Sequence, residues 1–82
     1  MKLELYKDAV ISMDLPEYGL RKGDVVKLVD ELRAADGSPG YAVEVFDVLG
    51  NTIDVHFIAA TAVEPLQSNE VFCVRQRDSV AA

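Results

Sequence analysis

The sequence contains no tryptophan, one cysteine, one histidine and three prolines in 82 residues. Each scarcity removes a class of function. The single thiol, Cys73, has no intramolecular partner, so the chain is not a disulfide scaffold. In its apolar run, Val71-Phe72-Cys73-Val74, it reads as a small hydrophobe. A structural zinc site takes four Cys or His ligands, and His56 and Cys73 supply two. Asp14 with Glu17, and Asp30 with Glu31, lack the spacing and glycine of a calcium loop. No metal and no cofactor are therefore expected. There is no phosphate-cradling glycine loop, and Ser12, Ser38, Ser68 and Ser79 stand in no nucleophile motif. No enzyme activity is expected. His56, two residues from Asp54 on one strand, is the sole candidate for an oriented imidazole, and a solvated pair is its plainer reading.

Basic residues are also scarce. Eight Lys and Arg face fourteen Asp and Glu, for a formal charge of −6. Nucleic-acid backbones and anionic membranes repel such a chain. The acidity belongs to residues 1–66, because 67–82 carry Arg75 and Arg77 against Glu70 and Asp78. No stretch reaches the ~18 apolar residues that span a bilayer. The first eight residues are too charged for a signal peptide, and a cytoplasmic protein is the expectation.

What is present is a globular composition, half hydrophobic and 27% charged, with a turn signal about every ten residues and β-branched runs between them. Strands are expected at 8–14, 24–33, 41–46 and 52–58, with a short last one at 62–66. In the first, Ala9, Ile11 and Met13 alternate with Val10 and Ser12. The second is apolar on both phases, with Val26, Leu28 and Leu32 on one and Val25 and Val29 on the other. The third puts Tyr41, Val43 and Val45 on one face. The fourth places Ile53, Val55 and Phe57 toward the core and Thr52, Asp54 and His56 toward water. Residues 59–61 suit one 3₁₀ turn. Pro65 cannot donate to a ladder, so the last strand ends there or lies at an edge. Between the first two strands runs a loop in which Gly19 and Gly23 supply positive φ.

That loop, Asp14-Leu15-Pro16-Glu17-Tyr18-Gly19-Leu20-Arg21-Lys22-Gly23-Asp24-Val25, together with Tyr41-Ala42-Val43-Glu44-Val45 and Asp47-Val48-Leu49-Gly50-Asn51-Thr52, resembles a family of small bacterial proteins of unknown function with an SH3-like barrel. The resemblance runs from Asp8 to Leu66. Val26 replaces a usual glycine, Val45 a usual phenylalanine, and the tail from Gln67 has no counterpart. The resemblance implies an all-β, SH3-like barrel of about five strands over residues 1–66. Residues 67–82 then form a C-terminal extension, an additional strand or tail. It implies no activity, although some members resemble partners of toxin-like proteins.

The function expected is that of a non-catalytic acidic protein-interaction module, in its sharpest form an antitoxin- or immunity-like inhibitor. Its partner is a protein with a basic patch, steered by charge, or a second copy in a homodimer. The candidate interaction surface is Tyr18, Leu20 and Arg21 in the loop, with Phe72 and Val74 in the tail. The alternative is an RNA-binding accessory domain of the KOW type. It rests on Arg21, Lys22, Lys27 and Arg33, and it lacks the stacking aromatics such modules use.

Overall fold

A computed structural model describes residues 3–77. Five antiparallel strands form one sheet: β1 (Asp8–Ile11), β2 (Val25–Arg33), β3 (Pro39–Phe46), β4 (Thr52–Ala59) and β5 (Val63–Pro65). Their order across the sheet is β4-β3-β2-β1-β5. The sheet curls over one core without closing, since β4 and β5 are its two edges. One 3₁₀ turn, Pro16–Tyr18, sits in the loop after β1, and another, Ala60–Ala62, leads into β5. The expected all-β architecture of five strands is what the chain adopts.

The core follows the period of two on β1 and β3. Ala9 and Ile11 are buried from β1, and Tyr41, Val43 and Val45 from β3. Val26 and Leu28 complete it from β2, with Leu20 from the loop and Ala62 and Val63 behind. Fully burying a large apolar side chain is worth about 1.5–3 kcal/mol, so these ten residues, with Ile58 of β4, hold the fold.

Two bulges change what the alternation predicts. The β2–β3 register slips between Leu28 and Asp30. Val29 is the extra residue, and beyond it the faces of β2 exchange. Leu32, expected to share the face of Val26 and Leu28, instead pairs with Gly40 on the outer face and is exposed. The β3–β4 register slips between Val45 and Phe46, making Ile53 the extra residue on β4. A bulge opposes two residues to one and bends its strand. After it, Asp54, His56 and Ile58 stand opposite the buried Val45, Val43 and Tyr41. The expected phase of β4 is therefore inverted past Ile53. Val55 is 54% exposed and Phe57 37%, whereas Ile58 is buried. Ile53, half-buried against the core, keeps its expected side.

The first strand is also shorter than expected, ending at Ile11 and leaving Met13 exposed. No strand forms in the described part of the C-terminal extension, residues 67–77, so the alternative of an added strand gives way to an irregular tail.

Candidate functional site

The loop after β1 is shaped by its two aspartates. Asp14 Oδ1 accepts the Lys22 N–H at 2.9 Å, and Asp24 Oδ2 accepts the Arg21 N–H at 2.8 Å. Leu15 and Leu20 exchange backbone hydrogen bonds at 2.9 and 3.2 Å, pinching the loop around the turn at Pro16–Tyr18. Gly19 then reverses the chain at φ 69°, where a side chain is disfavoured. This explains the spacing of the motif: the acids tie N–H groups, the leucines face in, and the glycines turn.

The pinch decides what the loop offers a partner. Leu20, expected as a contact residue, is only 3% exposed and belongs to the core. Tyr18 is half-buried, its ring stacked on that of His56 with centroids 4.6 Å apart. Arg21 is exposed.

The tail closes the site from the other side. After β5, Gln67 and Glu70 make a turn: the Gln67 N–H donates to Glu70 Oε1 at 2.6 Å, and the Glu70 N–H to the Gln67 carbonyl at 3.0 Å. The chain then crosses to the loop, where Arg75 grips it. Arg75 Nε donates to Asp24 Oδ1 at 2.8 Å, and Nη2 to Asp24 Oδ2 at 2.6 Å and to the Gly19 carbonyl at 3.1 Å. This is a bidentate, charge-assisted pair, the strong kind. Burial alone would raise the Asp24 pKa. The hydrogen bonds from Arg75 and from the Arg21 N–H, with the charges of both arginines, outweigh it and hold the carboxyl below its ordinary value. Sequence reasoning missed this grip, although an arginine placed straight after an apolar run was a signal for it.

Between the tail and the sheet lies a groove of about 1060 Å³. Its walls include Val10, Val25 and Phe46, half-buried residues of the sheet, and the tail residues Phe72 and Val74. Asp8, Asp47, Asp54 and Glu70 add acid around it. Tyr18 and Leu20 also reach it, so the structure brings four of the five expected contact residues to one groove and leaves Arg21 outside its lining. The tail does not fill the space it spans: Val71, Phe72 and Val74 are 91%, 80% and 79% exposed. Cys73 among them is exposed, where the sequence suggested a buried hydrophobe.

Asp54, which lines the groove, lies beside His56 on β4. Asp54 Oδ2 is 3.0 Å from His56 Nε2, but Nε2 makes no well-aligned hydrogen bond. Asp54 Oδ1 accepts the Val55 N–H at 3.0 Å. The arrangement holds an imidazole between a carboxylate and a phenol ring. The serine and threonine hydroxyls nearest in role are engaged elsewhere: Ser12 donates to the Thr61 carbonyl and Thr52 to Glu44. Among the described residues no group of three His, Cys, Asp or Glu is placed to hold a metal ion. No helix among them is long and apolar enough to cross a membrane.

Fold and site together define a small all-β domain whose C-terminal tail straps an acidic-rimmed, apolar groove. The chain belongs to a family defined by a domain of unknown function, DUF4926, whose pattern covers residues 5–71. Residues 72–82, including Phe72, Val74 and the gripping Arg75, lie beyond that pattern. Neither the curated proteins nor the solved structures contain a match to the chain.

Proposed function

We propose that this protein is a non-catalytic protein-interaction module that presents its strapped groove and tail to a partner with basic and apolar groups. The observation that carries the reading is the tail itself. Three large apolar side chains stand in water on a segment fixed at both ends, by the turn at Gln67–Glu70 and by Arg75 on Asp24. Contiguous exposed apolar surface of this kind marks interaction sites. The acids beside it, and the net charge of −6, favour a basic partner and speed its encounter. An inhibitor of a basic toxin-like enzyme is the sharpest version of this reading.

The RNA-binding alternative draws less support. Lys27 stands between Asp8 and Glu44 in the sheet and over the Phe46 ring, and Arg33 donates to the Gly37 carbonyl. Two of the four basic residues are thus occupied locally, which leaves Arg21 and Lys22 as a short basic step and not a stripe that tracks a phosphate backbone.

The test is affinity capture from the source cells with the full chain and with Phe72→Glu. A basic protein retained by the first and lost by the second, with both folded by circular dichroism, is the expected result. Equal retention by both, or recovery of RNA whose binding falls steeply with salt, would sink the proposal.

A further inference from the structure

The two edges of the sheet are unlike. β5 has three residues and ends on Pro65, which blunts it. β4 has eight residues, with neither lysine nor proline, and its outer side has no strand partner among the described residues. The Val55 N–H donates to Asp54 Oδ1, so this backbone group points off the sheet and is held by a side chain. Val55 and Phe57 lie on the outer face, more than a third exposed, with Leu32 on the same face.

We infer that β4 is a self-association edge, pairing antiparallel with β4 of a second copy about a two-fold axis at Val55. The register is chosen by charge. Centred on Val55, each Asp54 faces the other copy's His56, and each Ile53 faces a Phe57. Centred on Asp54 or on His56, like groups would face one another, which destabilises a pair. A second copy of this chain carries that complement by symmetry, because a two-fold contact is made by one patch meeting itself. On pairing, the Val55 carbonyl of the second copy takes the N–H that Asp54 now caps, and the carboxylate turns to the facing imidazole. One edge strand buries less than the usual stable interface, so the dimer is weak, in the micromolar to millimolar range. This contact uses the free edge of β4 and none of the tail, although Ile53 and Asp54 of that strand also line the groove.

Sedimentation equilibrium of the full chain tests it, with Val55→Lys as the disrupting variant. Val55 is exposed, so the variant folds, while two ammonium groups meet at the axis. The expected result is an average mass that rises with concentration and a self-association weakened at least about tenfold by the substitution. Cysteine cross-linking in a Cys73→Ser background reads the register directly. Val55→Cys places two thiols on facing residues about 5.5 Å apart at Cα, within disulfide range. Thr52→Cys places them about 20 Å apart. Fast disulfide dimerisation of the first and none of the second is expected. A chain monomeric at every concentration, a dimer untouched by Val55→Lys, or equal cross-linking at both positions would overturn the inference.

Discussion

At the residue scale the grip of Arg75 on Asp24 sets where the tail lies. Its two side chains are 27% and 19% exposed, so water screens the pair only in part. Replacing Arg75 by alanine removes the bidentate bonds but leaves Asp24 its Arg21 N–H. The expected cost is therefore about 1–2 kcal/mol, toward the lower end for charged hydrogen bonds. It should fall on tail docking, read as loss of amide protection and a drop in order parameters over residues 70–76. Acid should do the same to the wild type. The Asp24 carboxyl is held below its ordinary value of 3.8, so its contribution is complete above that pH and is lost as the pH falls through the lowered folded value. In Arg75→Ala the tail should already be loose at neutral pH, with no further acid transition of its own. A tail equally ordered in both proteins would refute the grip. Gly40 carries a second residue-scale prediction. A Cβ there would stand 2.6 Å from the Ile58 carbonyl oxygen and 2.6 Å from the Phe57 ring. The ring can swing away but the backbone cannot, so Gly40→Ala should cost about 1–3 kcal/mol in urea unfolding. A neutral result would show that β3 and β4 are less closely apposed there.

At the element scale β4 tests what alternation can establish. Its apolar residues Ile53, Val55 and Phe57 recur with period two, and this correctly marked a strand. The period alone does not say which phase faces in. On β1 and β3 the apolar phase is the buried one, and those faces were legible. On β4 the bulge at Ile53 inserts one residue and exchanges the faces, and β2 repeats this at Val29. A bulge depends on the register of two strands together, so neither strand's sequence announces it. The loop was legible in part for a similar reason. The glycines and Pro16 marked the turn, but the pinch between Leu15 and Leu20 decided that Leu20 is core and not contact surface. Mutational costs should follow the observed faces. Ile58→Ala should cost about 2–5 kcal/mol, as for buried large residues, and Val55→Ala under about 1 kcal/mol. A larger loss at Val55 than at Ile58 would restore the uninverted phase.

At the scale of the whole molecule, the question is whether the tail serves the fold or a partner. A domain of this size buries only about 60% of its unfolded surface, so a tail that joined the core would matter greatly to its stability. This one contributes little to the core. Its large apolar residues are mostly in water, and among the described residues it is held by Arg75 on Asp24 and on the Gly19 carbonyl, while the buried cluster draws no residue from beyond Val63. Truncation after Leu66 should therefore leave the five-stranded sheet folded. The loss should be close to that of Arg75→Ala, about 1–2 kcal/mol, and the midpoint of thermal unfolding should fall by about 4–16 °C for a domain this small. Partner capture, in contrast, should vanish, because the exposed apolar side chains and one wall of the groove go with the tail. The β4 contact should survive, because every residue it uses lies in 52–59. Circular dichroism melts, affinity capture and sedimentation of the truncated chain separate the three consequences. A truncated chain that fails to fold would mean the tail completes the domain. One that folds and still captures the partner would move the interface off the tail and back onto the sheet.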